Sequence, residues 1–330
     1  MDGFLSALLL AMGILIIVYG GDLFVNSAIW IAKKTGVSEM IIGATVVSLG
    51  TTLPELSVSL LAIVKGGDGA MSQSFNQIAV GNALGSMLCN IGLVLALVMC
   101  VKSIAAGKEF FLKGIYLMAV TVLLTVFISI NGQLGTAEGI VLLALFAGFI
   151  ALNIVQAAKK KDREKVSFAE ENASAAIMII SLIMGAAGIA FGANLLVDNS
   201  VRLSLLSGIS PQIMGVTAVA LGTSMPELVT AVASVRKKSA CIGLGNILGA
   251  NIINGTLLLG TAAVISEGGL EIDAVSSGLT VFMLTAITAV MVLPAVLKKK
   301  TFRWQGYLLL ALYSVYITLN VLITRNVITL

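Results

Sequence analysis

Polar residues in this chain do not alternate with apolar ones; they collect between long apolar stretches. Leu, Ile, Val, Ala and Met fill ten runs with few charges, at 3–31, 40–64, 75–101, 110–130, 135–157, 174–200, 210–234, 240–265, 275–297 and 304–324. A helix of about 20 apolar residues crosses the hydrocarbon of a bilayer. The pattern predicts an all-α membrane protein with ten transmembrane helices.

The basic residues orient these spans, because cytoplasmic loops collect Lys and Arg. Let the N-terminus lie outside and the spans alternate. The inward loops then hold 17 of the 20 basic residues, from Lys33 and Lys34 to Lys298, Lys299, Lys300 and Arg303. Only Lys65, Arg202 and Arg325 face outward. Both termini are therefore expected on the outer side of the cell (inner) membrane. Asp2 stands where a signal peptide would be basic, so the first run is expected to be a retained span.

The chain repeats itself. Tyr19-Gly20-Gly21-Asp22 matches Phe191-Gly192-Ala193-Asn194. Gly36-Val37-Ser38 matches Gly208-Ile209-Ser210, and Gly43-Ala44-Thr45 matches Gly215-Val216-Thr217. Gly81-Asn82-Ala83-Leu84-Gly85 matches Gly245-Asn246-Ile247-Leu248-Gly249. A charged segment at 158–173 separates a first five-helix repeat, 1–157, from a second, 174–330, and is expected to be a cytoplasmic linker. Five spans per repeat is odd, so the second repeat must lie inverted. Inverted repeats with interrupted helices are an architecture of secondary transporters.

One motif occurs in both halves. Gly50-Thr51-Thr52-Leu53-Pro54-Glu55 recurs as Gly222-Thr223-Ser224-Met225-Pro226-Glu227, each inside an apolar run. A carboxylate in hydrocarbon costs about 3 kcal/mol or more and is by default a functional-site hypothesis. Proline removes a helical hydrogen bond and clashes with the carbonyl four residues back, here Gly50 or Gly222. Both helices are therefore expected to be interrupted at the motif. Carbonyls, hydroxyls and carboxylates are hard oxygen ligands of the kind Ca2+ collects. A structural kink with each Glu paired to Lys or Arg would be the plainer explanation. However, no basic residue lies deep in a span.

Two further helices carry amides. Asn82, Ser86 and Asn90 share one helical arc, and Asn246, Ala250 and Asn254 share the matching arc. They serve either as ligands or as glue between helices. Asp22 and Asp198 are the remaining acids within spans, open between a structural role and a place on an ion pathway.

Composition narrows the classes. The chain is 58% hydrophobic and 11% charged, with mean hydropathy +1.06; a soluble protein carries about 25% charged residues. The net charge of +4 is spread over short loops, so nucleic acid is not an expected partner. There is no histidine, and Cys89, Cys100 and Cys241 have no metal-ligand spacing. No nucleophile stands beside a base, so an enzyme is not expected, nor is a cofactor or a protein partner.

The doubled Gly-Thr-(Thr/Ser)-x-Pro-Glu, each followed by a Gly-Asn-x-x-Gly helix, resembles the alpha repeats of the cation/Ca2+ antiporter family, prokaryotic sodium/calcium exchangers in particular. The likeness covers all ten spans. It implies a diamond of ion sites formed by spans 2, 3, 7 and 8, and alternating access by sliding of spans 1 and 6. It implies that Glu55 and Glu227 hold Ca2+, with backbone carbonyls from Thr51 and Thr223. It implies that the carbonyls of Ser48 and Ala220 and the hydroxyls of Thr52 and Ser224 serve flanking Na+ sites. Ser86 and Asn90 fall on third-span ligand positions. In the second half Ala250 stands where the pattern has a hydroxyl, and Asn254 where it has an aspartate. The expected function is a Ca2+ antiporter with Na+ as counter-ion, the alternatives being H+ exchange or a passive cation channel.

Overall fold

The structure, a computed structural model, describes residues 2–34, 48–67, 72–101, 103, 108–159, 174–236, 240–266, 268–272 and 274–324. The repeats noted at 36–38 and 43–45, the start of the second expected span and most of the 158–173 linker lie outside the described residues.

Helices α1 (Asp2–Lys34) and α2 (Ser48–Gly66) come first. Helix α3 runs through Ser72–Cys89, a wider π-helical stretch Asn90–Leu95, and Ala96–Val101. Helices α4 (Lys108–Asn131), α5 (Thr136–Lys159) and α6 (Ala175–Ser207) follow. Helix α7 spans Pro211–Thr223 with a π stretch at Gly215–Val219, and α8 is Met225–Arg236. Helix α9 is built from Ala240–Ile253, a π stretch Asn254–Leu258, and Leu259–Ile265. Helices α10 (Ala274–Lys298) and α11 (Arg303–Thr324) close the chain. Two short strands, Gln133–Leu134 and Leu270–Glu271, pair antiparallel between α4–α5 and α9–α10.

Among the described residues, eight helices are long and apolar enough to cross a membrane, or nine with the bent pair α7–α8 as one span. Helix α2 is not among them; its described part holds Glu55, Lys65 and the polar motif.

Burial separates an inner group from an outer one. The apolar windows of α3 and α9 are 78% and 83% buried, against 22%, 22%, 17% and 22% for α1, α5, α6 and α11. The outer helices are apolar on their exposed faces, as lipid contact requires.

Close approach depends on small residues. Helices α1 and α6 run antiparallel with glycines at the seam. A Cβ at Gly13 would stand 2.9 Å from the Gly192 carbonyl oxygen, and one at Gly185 would stand 2.7 Å from that of Gly20. Gly13 and Gly20 are the positions that match Gly185 and Gly192, so the contact occurs twice with the halves exchanged. The connection from α6 to α7 follows local rules. Gly208 ends α6 with φ 68, the Ser210 hydroxyl accepts from the Ile213 N–H at 3.3 Å, and Pro211 takes the first helical position.

The two motifs are not interrupted alike. The α7–α8 axis bends by 41° at Ser224, whose φ −81, ψ 6 leaves the helical region. Helix α2 continues through Pro54 unbroken, contrary to expectation. The hydroxyls differ at the same point. Thr52 Oγ1 donates to the Ser48 carbonyl at 2.7 Å, within its own helix. Ser224, the matching residue, turns its hydroxyl to Glu55 Oε1 at 3.3 Å instead.

Candidate cation site

Helices α2, α3, α7–α8 and α9 bring the two motifs and both amide arcs together. Glu55 and Glu227 are fully buried, and close enough for their charges to act on each other. The link between the halves at Glu55 is the Ser224 hydroxyl. Among the described residues, Glu55 Oε2 and both carboxylate oxygens of Glu227 accept no close hydrogen bond, although the Thr51 hydroxyl is near enough to act on Glu227. No Lys or Arg acts on either group among the described residues. The plainer explanation, a kink with paired glutamates, therefore fails.

The expected ligand positions are all inside. Ser48, Thr51, Thr52, Ser86, Asn90, Ala220, Thr223, Ser224 and Asn254 are buried. Thr223 donates to Asn82 Oδ1 at 3.0 Å and lies 3.3 Å from the Ser86 hydroxyl. In the other half the matching contact, Asn246 Nδ2 to Thr51 Oγ1, is longer at 3.5 Å. Glycines meet matched neighbours too. A Cβ on Gly85 would stand 2.9 Å from Ala220 Cβ, and one on Gly249 would stand 2.6 Å from Ser48 Oγ.

Not every expected ligand is free to turn to an ion in this arrangement. The Ser48 carbonyl accepts from the hydroxyls of Thr51 and Thr52, and the Ala220 carbonyl from the Ser224 N–H at 3.0 Å. Asn82 has both amide atoms engaged, its Nδ2 donating to the Glu55 carbonyl at 3.2 Å and to Ser59 Oγ at 2.8 Å. Asn82 thus braces α2 against α3.

Asn90 and Asn254 each open a π-helical stretch, at matching positions. Such stretches re-aim side chains and gather at functional sites. The stretch at Asn90 packs on α8, which carries Glu227, and the stretch at Asn254 packs on α2, which carries Glu55. Seven buried side-chain oxygens on these helices have no partner: Ser48 Oγ, Glu55 Oε2, Asn90 Oδ1, both of Glu227, Asn246 Oδ1 and Asn254 Oδ1. Unpartnered buried oxygens are costly, and a hard cation satisfies several of them at once. No group of three or more His, Cys, Asp or Glu occurs among the described residues, so the donor set is two carboxylates plus neutral oxygens.

The other acids lie apart. Asp198 is 56% exposed and pairs with Lys65 at 2.6 Å, which joins the end of α2 to α6. Asp22 is exposed on α1. Two site residues carried no separate signal in the sequence: Ser59, which bonds Asn82, and Asn251, which bonds Asn90 at 3.0 Å. Ser59 lies one helical turn beyond Glu55, and Asn251 three residues before Asn254; that spacing is the signal that would have found them.

Residues 5–155 and 177–322 match the sodium/calcium exchanger protein family. The inner membrane protein YrbG of Escherichia coli is 35% identical over 86% of this chain and 87% of its own length. Membrane protein MJ0091 of Methanocaldococcus jannaschii is 33% identical over 93% of this chain and 95% of its own. The sodium/calcium exchanger MaX1 of Methanosarcina acetivorans is 27% identical over 94% and 97%. Among solved structures, the sodium-calcium exchanger NCX_Mj soaked with 10 mM Na+ and 10 mM Sr2+ superposes with TM-score 0.66 at 29% identity, covering 96% of this chain and 98% of that one.

Proposed function

The chain belongs to the sodium/calcium exchanger protein family, and we propose that it is a secondary-active antiporter of the cytoplasmic membrane, exchanging Ca2+ for a monovalent cation, Na+ in first place, by alternating access. The observation that carries this is the pair of fully buried carboxylates with no basic partner among the described residues, set among neutral oxygens left without hydrogen bonds. Ca2+ takes 6–8 oxygens and supplies the missing counter-charge. In this reading Glu55 and Glu227 bind Ca2+, with Thr51 and Thr223. Thr52, Ser224, Ser48, Ala220, Ser86, Asn90 and Asn254 complete the Ca2+ and Na+ sites.

We further read the chain as ten spans in two inverted five-helix repeats, 1–157 and 174–330, with 158–173 cytoplasmic and both termini outside. Support comes from contacts that recur with the halves exchanged, at Gly13–Gly192 and Gly20–Gly185, and at Gly85–Ala220 and Gly249–Ser48.

The test is 45Ca2+ uptake into proteoliposomes with outward Na+, K+ and H+ gradients imposed one at a time. The expected result is uptake driven by the Na+ gradient and abolished in Glu55→Gln and Glu227→Gln. Uptake that follows only the pH gradient would assign H+ as counter-ion. Flux that needs no exchangeable ion would make the protein a channel. Unchanged flux in both variants would remove the site assignment.

A further inference from the structure

Asn251 Nδ2 donates to the Met87 carbonyl at 3.0 Å. A carbonyl oxygen only accepts, so this bond decides which way the Asn251 amide faces. Its Oδ1 is then directed at Asn90, whose Nδ2 donates to it at 3.0 Å. With Nδ2 so engaged, Asn90 Oδ1 is the atom turned away from Asn251, and it is buried without a partner. The sense of the chain is therefore fixed from the backbone outward: carbonyl, amide, amide, open acceptor. Without Asn251 the Asn90 amide could turn over. It would then offer N–H donors where a cation needs oxygen.

The second half lacks this device. Met87 occupies the position matching Asn251 and has no amide. Asn254, which matches Asn90, has neither Nδ2 nor Oδ1 partnered. We infer that Asn251 is a positioning residue, which locks the Asn90 carboxamide with its oxygen toward the transported cation. This rests on the cation-site reading given above. It adds a residue that touches no ion and yet sets how well one is held.

The experiment is Ca2+ binding to the purified full chain in detergent, measured by calorimetry. Asn251→Leu keeps the branched side-chain skeleton and removes both hydrogen bonds. It is expected to weaken Ca2+ binding about tenfold, the lower end of what loss of a ligand's orienting partner costs. Asn251→Asp, protonated in this buried place, donates its O–H to the Met87 carbonyl and still accepts from Asn90, and is expected to bind Ca2+ at least as well as the wild type. The leucine variant is never compared alone: Asn90→Ala must weaken binding, and adding Asn251→Leu to Asn90→Ala must cost nothing more, because the two residues act as a unit. A general packing defect would instead add in full. Wild-type affinity in Asn251→Leu, full additivity, or an Asn251→Asp variant more than tenfold weaker than wild type would each overturn the inference; the aspartate variant carries the test should the leucine variant not fold. Glu55→Gln separates the two claims. If it binds Ca2+ normally the site reading fails; if it loses Ca2+ while Asn251→Leu does not, only the positioning role fails.

Discussion

Gly85→Ala and Gly249→Ala place the same methyl group at matched positions against unlike neighbours. At Gly85 the new Cβ would stand 2.6 Å from Val216 Cα and 2.7 Å from the Val216 carbonyl oxygen. Comfortable carbon contacts begin near 3.5 Å. Both obstacles are backbone, so α3 must move away from α7 by several tenths of an ångström or more. At Gly249 the Cβ would meet Ser48 Oγ at 2.6 Å, and the next atom, Ser48 Cβ, at 3.6 Å. That hydroxyl has no partner, so it can rotate without losing a hydrogen bond. Overpacking that moves a backbone costs about 3 kcal/mol, and a displaced rotamer about 0.5–1 kcal/mol. At about 2 °C per kcal/mol for a chain of this size, Gly85→Ala should lower the melting temperature by about 6 °C and Gly249→Ala by about 1–2 °C. The assay is melting of purified protein in a mild detergent at a matched scan rate, followed by size-exclusion chromatography. Gly3→Ala, with nothing within 4 Å, is the control. Adding Ser48→Ala to Gly249→Ala should remove the remaining loss. Equal losses at the two glycines, or no recovery with Ser48→Ala, would refute the packing argument.

Two more outcomes follow from particular groups. Glu227→Gln should melt no lower than wild type without Ca2+, because neither carboxylate oxygen accepts a close hydrogen bond; it should also lose the stabilisation of about 2.7 kcal/mol that Ca2+ at 100 times its Kd gives the wild type, read as the Ca2+-dependent melting shift. Gly208→Ala forces a side chain onto φ 68 at the end of α6; it should cost about 1–2 kcal/mol of stability, read by melting, while Ca2+ affinity stays unchanged.

The helices were legible because hydrocarbon thickness and loop charge impose long, regular signals. The apolar runs correspond to the observed helices within a few residues at most ends, although α6 extends to Ser207 rather than 200. The paired motif and the amide arcs were legible because a carboxylate or amide deep in an apolar run stands out against its neighbours. What was not legible depends on partners far along the chain. Nothing local says that Thr52 will bond its own helix while Ser224 bonds Glu55, or that one helix runs on through Pro54 while the other breaks at Ser224. The π stretches at Asn90 and Asn254 shift the helical register without a composition of their own. Lys113 is one of the 17 basic residues that the alternation assigns to inward loops. It lies within α4, 7% exposed, with Nζ 3.4 Å from the Gly245 carbonyl, its long apolar stem carrying the charge to the end of the bundle.

In the proposed inverted arrangement, the residues that build the frame and those that build the chemistry obey different rules. Between α1 and α6 the frame is glycine against backbone, and it recurs when the halves are exchanged, since close approach leaves no freedom in side-chain size. The polar set does not recur. Ser59 faces Asn82, whereas the matching position is Ala231; Ser86 matches Ala250; Asn251 matches Met87. Each difference removes a hydroxyl or an amide and leaves apolar packing, so the frame tolerates it. Each also changes which buried oxygens are held and which are left open: Asn82 is fully bonded while Asn246 Oδ1 is not, and Asn90 is oriented while Asn254 is not. In the proposed cation site the two halves therefore present unequal faces. Ion preference in such a protein can change by substitutions at positions like 87 and 251 without any change in how the helices pack.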